Sequence, residues 1–457
     1  MTTDTAVAAS TLPQVRGTWR QRLAAVMQFH TGGEWVCEQG LGLADMHLGP
    51  AWLVPQVALA VGPQAARDVL GRHDDALDKY TPFNVQRRLL GKFSGRPSDD
   101  LFHMTYLPWL SRKRALQPVF TKPKVATYAG VMSAVAEEQV AQWTAQGQVD
   151  IGRATRALAL DVLGRSVFGL RLGDRASALA PHVDAMMTYM LERAVRPARA
   201  PYWLPTPARA RFLRAWAVID EISDEAMATC RQDPDHEAPL IRQLLAAADP
   251  ETGRELTDEE RRADLLAFLL AGHDTTSTTL AYALWQVGRR ADIQERLRAE
   301  IDALGDRPLT SEDVSSLPYT VQVVHEAMRL CPPAGGVART ATRDVAVDGH
   351  LVPAGYTVIV SIYALHRDPG AWEQPLLFDP DRFAPERRQQ INRWQYLPFG
   401  GGPRSCIGDH FAMLEATLGL ATVVRRVSIT SLRPDFPVSM AATVTAAEPV
   451  PLRFTAR

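Results

Sequence analysis

The stretch FGGGPRSCIG, Phe399 to Gly408, places one of the four cysteines of the chain in a glycine-rich turn before a predicted helix. Cys406 lies near the start of that helix, where backbone N–H groups and the helix dipole favour a negative charge. The glycines at 400–402 let the backbone fold tightly, and Arg404 adds a positive charge nearby. These features favour the thiolate form of Cys406, which is the form that binds metals.

A single cysteine cannot complete a zinc or iron–sulfur site, because such sites need several protein ligands. It can be the one protein ligand of a metal whose other positions are filled, as in haem, where the porphyrin supplies the ring nitrogens. A free cysteine is also commonly a small buried apolar side chain. The loop alone leaves both interpretations of Cys406 open.

The composition is that of an ordinary folded protein. The 457 residues are 46% hydrophobic and 22% charged, which is enough to bury a core that encloses a ligand. The 50 basic and 51 acidic residues nearly cancel, so no overall field attracts nucleic acid or an anionic membrane. The widely spaced cysteines favour neither a disulfide framework nor a zinc site. No stretch is apolar enough to span a membrane and the N-terminus lacks a signal-peptide core, so we expect a cytoplasmic protein.

Helical patterns dominate, and we expect a mainly α fold with a small β-rich subdomain. The longest helical pattern starts at Thr257 and Asp258, which can cap it, and its apolar middle predicts that it crosses the core. Strand patterns surround predicted turns at 348–349 and 354–355. No linker or repeat is evident. We therefore predict one domain over residues 1–457, with a β-rich part at about 35–75, a helical core at about 85–330 and a β segment at about 337–365.

The cysteine loop resembles the haem-ligand loop of the cytochrome P450 family, the haem-thiolate monooxygenases. Phe399, Gly402, Arg404, Cys406 and Gly408 match every fixed position of the family pattern Phe-x-x-Gly-x-Arg-x-Cys-x-Gly. The resemblance implies that Cys406 ligates the iron of haem b, Phe399 shields the sulfur and Arg404 meets a haem propionate. Gly408 is then the residue that lets the next helix approach the ring. The implied fold holds haem between the long central helix and the helix after the cysteine.

A second motif, EAMR, places Glu326 and Arg329 on one helix face. The helix is predicted to begin after Leu317-Pro318 and to end near Cys331, since prolines follow it. The motif is weak by itself, because any exposed helix offers such an ion pair. In the family this pair joins an arginine from a PxRF segment, and FDPDRF supplies Arg382. The resemblance thus implies a structural Glu326–Arg329–Arg382 network under the cysteine loop.

The stretch AGHDTT interrupts the apolar middle of the long helix. Gly272 costs about 1 kcal/mol relative to alanine there, and Thr275 can bond back to the Ala271 carbonyl, which would distort the helix. A helix-crossing contact with a satisfied polar pair is one interpretation. The resemblance implies another: room for O2, Ala271 against the haem, and Asp274 and Thr275 as the residues that deliver protons. His273 is expected to pack or to face solvent.

The stretch WLSRKRALQPVF, 109–120, resembles the family helix that crosses the haem edge. In that helix a tryptophan and a basic residue four positions later bind a propionate, and here they are Trp109 and Lys113. Lysine makes this contact as a point charge and not as a planar fork, so Arg112 is an alternative. The alternative interpretation of the same pattern is a basic helix face that is exposed to solvent. Arg339 matches the arginine that meets the other propionate.

The resemblance implies a monooxygenase that inserts one atom of O2 into a substrate, with electrons coming indirectly from NAD(P)H. No GxGxxG fingerprint follows a strand, and too few residues follow Cys406 for a reductase domain. We therefore expect ferredoxin and ferredoxin reductase as partners, and a monomeric chain. A basic docking patch and a scattered solvated surface are both open for Arg112, Lys113, Arg114, Lys122, Lys124, Arg425 and Arg426.

The expected substrate is an apolar small molecule: a terpene, a fatty acid or another secondary metabolite. The apolar side chains predicted to line its pocket include Met186, Met187, Met190, Tyr202 and Trp203. A peroxide-driven peroxygenase is an alternative, although it would not need Asp274 and Thr275, because peroxide already brings protons and electrons. A haem-based gas sensor and a haem-free protein with a core cysteine are further alternatives.

Overall fold

Short strands lie at both ends of a largely helical chain. A computed structural model describes residues 10–27, 29–50, 56–72, 74–79, 100–102, 104–170, 179, 181–183, 185–186, 188–189, 204–248, 253–440 and 443–457. The helices are α1 (Trp19–Met27), α2 (Phe29–Glu38), α3 (Pro63–Leu70), α4 (Tyr106–Leu116), α5 (Lys122–Ala126), α6 (Ala129–Gln146), α7 (Ile151–Leu163), α8 (Pro207–Gln232), α9 (Pro239–Ala246), α10 (Asp258–Arg289), α11 (Ala291–Asp302), α12 (Pro318–Leu330), α13 (Ile362–Leu365), α14 (Pro385–Arg388) and α15 (Asp409–Arg426). The strands are β1 (Ser10–Thr11), β2 (Leu43–Asp45), β3 (Val57–Ala60), β4 (Leu77–Asp78), β5 (Gln148–Asp150), β6 (Val337–Ala341), β7 (Val345–Val347), β8 (His350–Val352), β9 (Thr357–Val360), β10 (Val427–Ser431), β11 (Val438–Met440), β12 (Val444–Ala446) and β13 (Pro451–Ala456).

Helix α10 crosses the helical core, as predicted. Its N-terminus is a capping box: Thr257 Oγ1 accepts from the Glu260 N–H at 3.2 Å, and the Glu260 carboxylate accepts from the Thr257 N–H at 2.8 Å. The middle of the helix is buried and packs along α7, α12 and α15. This position brings the central turns of α10 next to the helix that follows Cys406.

A mixed five-stranded sheet forms a second, smaller core, in the order β2-β3-β9-β6-β4. Strands β3 and β9 are parallel, and the other neighbours are antiparallel. The predicted turn at Asp348–Gly349 is confirmed: it joins β7 and β8, and both residues have positive φ. The segment predicted to be β-rich, 35–75, contributes β2 and β3 and also contains α3. The predicted fold class, mainly α with a small β-rich part, is confirmed.

Candidate functional site

The Cys406 loop closes on itself just before α15. The Cys406 N–H donates to the Phe399 carbonyl at 2.9 Å, and the Gly408 N–H points at the Cys406 sulfur at 3.3 Å. The thiol has accessible surface, yet burial raises its pKa to about 11, and the Gly408 N–H and Lys113 only partly oppose that rise. The sulfur is therefore crowded by the surrounding chain and still accessible to a ligand.

The loop features predict a thiolate, but they do not lower the pKa of the free Cys406 side chain below its ordinary value. The helix start, the Gly408 N–H and a nearby cation are all present, but they do not outweigh the cost of burying the charge. A bound metal cation would supply the missing stabilisation, because a coordinating thiol is deprotonated by the metal. The donor set at Cys406 therefore fits a site with one thiolate ligand.

The loop packs closely against the backbone at the C-terminal end of α3. Gly402 has φ +70°, and a Cβ added there would lie 1.9 Å from the Leu70 carbonyl oxygen. A Cβ at Gly401 would lie 2.7 Å from the Trp394 ring. Glycine at 402 is therefore required twice over, by its backbone conformation and by the close approach of another chain segment.

Two arginines with buried side chains, Arg404 and Arg339, lie at one edge of the loop. Arg404 pairs with Asp78 at 2.8 Å and lies over the Trp109 ring at 4.6 Å. Arg339 is buried, and its hydrogen bond within the described residues goes to the Ala338 carbonyl at 2.8 Å. Burial, with Arg404 close by, lowers the pKa of Arg339 to about 10.

Lys79 is a further basic residue at this edge. Burial, then Arg339 and Arg404, lower its pKa to about 7, while Asp100 and Asp78 act in the opposite direction. Buried charges are normally paired, and within the described residues Arg339 has no carboxylate at ion-pair distance, so this edge suits an anionic ligand. This edge therefore fits the two carboxylates of a haem, with Arg339 and Arg404 as their partners. The sequence interpretation missed Asp78 and Lys79, for which LDKY carries no motif.

The two candidate basic residues of α4 point to different places. The Lys113 ammonium donates to the carbonyls of Pro403 and Ser405, at 2.8 and 3.2 Å, and lies 5.1 Å from the Trp109 ring. Arg112 is buried and pairs with Asp264 and, at 3.5 Å, with Glu260, both on α10. Arg112 is therefore committed to α10, and Lys113 contacts the cysteine loop itself.

The AGHDTT turn of α10 is regular helix. Thr275 Oγ1 donates to the Ala271 carbonyl at 2.7 Å, as predicted, but the helix continues without a break. A Cβ on Gly272 would lie 2.9 Å from the Leu163 side chain of α7. Gly272 therefore accommodates the close crossing of α7 in this turn.

Asp274 is buried and turned toward α7. Its Oδ1 lies 3.3 Å from Arg156 Nε and 3.2 Å from His273 Nδ1, and its Oδ2 accepts a hydrogen bond from Thr443 at 3.2 Å. Burial acts to raise the pKa of Asp274, but His273, Arg156 and Thr443 together outweigh it and leave the pKa lowered. His273 is fully buried, so the expectation that it packs is confirmed and a solvent-facing position is wrong.

The predicted ExxR network is confirmed. Arg329 forms a two-pronged pair with Glu326 at 2.7 and 2.8 Å, and Arg382 Nε lies 3.4 Å from the same carboxylate. Arg329 also donates to the carbonyls of His366, Pro375 and Leu377. All three charged side chains are buried, so this network fixes the chain that leads into the cysteine loop.

Glu415 is a second buried acid that the sequence interpretation missed. It lies on α15, and its carboxyl is close to Thr276 of α10 without a well-formed hydrogen bond. Burial raises its pKa well above the usual range, because a charged carboxylate is disfavoured away from water. The signal was available, since FAMLEATL sets one glutamate among apolar residues at helical spacing.

Within the described residues, no helix combines the length and apolarity needed to cross a bilayer. Of the predicted pocket residues, Met186 is buried, while Met187, Met190, Tyr202 and Trp203 lie outside the described residues.

Comparisons with known proteins agree on one family. The family model for Cytochrome P450 matches residues 51–451. Cyclooctatin synthase of Streptomyces melanosporofaciens is 36% identical over 72% of this chain and 74% of its own length. Cyclooctat-9-en-7-ol 5-monooxygenase of the same organism is 31% identical, over 89% of this chain and 85% of the relative. Pentalenene oxygenase of Streptomyces avermitilis is 29% identical, over 86% and 87%. The crystal structure of the cytochrome P450DA heme domain has a TM-score of 0.81 at 25% identity and covers 98% of this chain and 97% of that one.

Proposed function

Because the chain belongs to the cytochrome P450 family, we propose that it hydroxylates a terpene or a similarly apolar metabolite, with electrons from a separate ferredoxin. The chain is a monooxygenase with haem b as cofactor, O2 as co-substrate and NAD(P)H as the indirect electron source. The names of the three bacterial relatives support the terpene assignment, because each denotes a step on a terpene-type compound. The observation that carries the chemistry is the accessible thiol of Cys406, with the Gly408 N–H at its sulfur, in the same loop as Arg404.

In this proposal the chain holds haem through two sets of residues. Cys406 is the iron ligand, and the Gly408 N–H stabilises negative charge on its sulfur. Arg339 and Arg404 bind the propionates, with Trp109 packed beneath Arg404. Lys113 stabilises the loop, because its ammonium donates to the carbonyls of Pro403 and Ser405 on either side of Arg404. We also assign it a direct contact with a propionate. Phe399, Gly408 and Ala271 are assigned to the walls of the haem site.

When bound, haem activates O2, and its thiolate ligand favours cleavage of the O–O bond. The protons for that chemistry are assigned to Asp274 and Thr275. Asp274 contacts Arg156, whose side chain is about a quarter exposed (24%), so a single side chain separates the carboxylate from the protein surface on the α7 side. The Thr275 hydroxyl donates to Ala271 and keeps its lone pairs free to accept a hydrogen bond. These residues lie on neighbouring faces of α10, since consecutive residues are rotated by about 100°.

Three cations of the candidate ferredoxin patch are paired with acids. Arg112 is paired with Asp264, while Arg425 and Arg426 both pair with Glu137. Of the other cations in that candidate set, Arg114, Lys122 and Lys124 are exposed. Lys122 and Lys124 follow Phe120 closely in the chain, and the Phe120 ring lies 4.0 Å from the Cβ position of Gly408 in the cysteine loop. We assign ferredoxin docking to this three-residue patch.

The double change Lys122→Glu, Lys124→Glu should slow ferredoxin association at low salt by about tenfold or more, because it reverses the local field. The difference should shrink as salt is added. First-electron transfer to the protein, followed by stopped-flow absorption, measures this rate. Arg453→Glu, at an exposed strand position, is the control and should have little effect. Equal rates for the double variant and the native chain at low salt would contradict this docking site.

The proposed reaction is tested with purified protein, limonene, farnesol and dodecanoic acid. We expect a terpene to shift the spin state most strongly and to be hydroxylated only when ferredoxin, its reductase, NADPH and O2 are all present. Turnover with hydrogen peroxide alone, and none with the ferredoxin system, would instead identify a peroxygenase. A preference for dodecanoic acid would overturn the terpene assignment and leave the monooxygenase class intact.

A further inference from the structure

The carboxylate of Asp274 has one well-formed hydrogen bond within the described residues. The contacts to Oδ1 from Arg156 and His273 lie within ion-pair distance, but neither has the direction of a hydrogen bond. The remaining contact is the hydroxyl of Thr443, which donates to Oδ2 at 3.2 Å. A threonine 169 residues away in the chain therefore holds one oxygen of the carboxylate, while the other faces Arg156 and His273.

Thr443 is itself held in place from two sides. It directly precedes β12, whose Val444 carbonyl accepts a hydrogen bond from Thr278 Oγ1 at 2.8 Å, one turn along α10 from Asp274. The Val444 N–H donates to the Pro333 carbonyl at 2.8 Å. The same hairpin packs against Gly335, where an added Cβ would lie 2.5 Å from the Met440 sulfur. The β11–β12 hairpin is thus anchored both to α10 and to the segment after α12.

We infer that Thr443 is a positioning residue for proton delivery, which holds the Asp274 carboxylate in register with Arg156. The inference rests on the proposed function, in which Asp274 carries protons. Among the residues that the structure describes, the charged and titratable groups that face Asp274 are Arg156 from α7 and His273 from α10, and the hairpin contributes the neutral Thr443 hydroxyl. Removing that hydroxyl takes a donor from the ionised carboxylate and frees the side chain to rotate out of line.

The test compares Thr443→Val, which keeps the shape and removes the hydroxyl, with Thr443→Ser, which keeps the hydroxyl. Thr445→Val, two residues along the same hairpin, is the matched control. Each holoprotein is assayed with the ferredoxin system and with hydrogen peroxide, using the compound among limonene, farnesol and dodecanoic acid that gives the largest spin-state change.

We expect product formed per NADPH to fall about tenfold in Thr443→Val and to return to within about twofold of native in Thr443→Ser. The acid limb of the pH profile should move to higher pH, because a carboxylate that loses a donor to its charged form has a raised pKa. Peroxide-driven turnover should change less than twofold, because peroxide supplies the protons itself. A purely structural role would lower both reactions together.

Asp274→Asn separates this inference from the proposed function. Loss of coupling in Asp274→Asn, with native coupling and pH profile in Thr443→Val, would overturn the inference and leave the proposed role of Asp274 standing. Native coupling in Asp274→Asn would overturn both. If Thr443→Val does not bind haem, Thr443→Ala is measured in the same way, and failure of both to bind haem would show a structural role and overturn the inference.

Discussion

Cys406→Ser is expected to abolish the long-wavelength Soret band of the reduced, carbon monoxide-bound protein and to lower product formation by more than about a hundredfold. A serine hydroxyl does not ionise under the conditions that give a metal thiolate, so the variant loses the anionic ligand. Residues that merely support metal ligands cost up to about a hundredfold when removed, and loss of the single protein ligand should exceed that. Difference spectroscopy and the hydroxylation assay measure the two effects.

The matched control is Cys37→Ser, because Cys37 is a half-buried cysteine far from the loop in the chain. That variant should keep the native spectrum and activity. Cys331→Ser is a less clean control, since its fully buried thiol would be replaced by a more polar group. A Cys406→Ser protein that kept the native carbon monoxide spectrum would show that another side chain ligates the iron.

Glu326→Gln should lower the free energy of unfolding by about 3–5 kcal/mol, because it leaves Arg329 and Arg382 buried beside a neutral amide. The glutamine has nearly the shape of the glutamate, so the loss reports the charge and not a cavity. Urea denaturation gives the stability, and the haem-to-protein ratio after expression gives the effect on the site. We expect both to fall, since the network fixes the segment that precedes the cysteine loop.

A surface ion pair provides the comparison for Glu326. Arg231 and Asp258 pair at 2.6 Å with both side chains well exposed. Such pairs contribute about 0–1 kcal/mol, so Arg231→Ala should barely move the urea midpoint. Similar midpoints for Glu326→Gln and Arg231→Ala would mean that the buried network contributes no more than an exposed pair.

The features that could be predicted from the sequence are those written in short stretches. The capping residues of α10, the proline boundaries of α12 and the spacing of Glu326 and Arg329 each depend on neighbours within a few positions. The mainly helical fold follows from the same local patterns. The resemblance at Phe399 to Gly408 then assigned the cysteine a role that its local physics left open.

What the sequence did not reveal depends on contacts between distant segments. Two examples join residues far apart in the chain: the hydrogen bond from Thr443 to Asp274, and the ion pair between Asp78 and Arg404. The direction of a side chain on its helix was equally hidden: Arg112 and Lys113 are adjacent, yet one reaches α10 and the other the cysteine loop. The sequence alone suggested that Gly272 makes room for a ligand. The side chain that packs against it, Leu163, lies on another helix and could not be identified from the sequence.

The contact between Gly402 and the Leu70 carbonyl constrains how this protein can be recombined with its relatives. Consider a chimera that takes the segment around Cys406 from one parent and residues 63–71 from another. It must preserve a contact between two backbone segments that leaves no space for even a methyl group. Crossover points placed between these two segments would therefore yield many inactive hybrids, even where every side chain is compatible. Libraries that inherit both segments from the same parent should retain haem far more often.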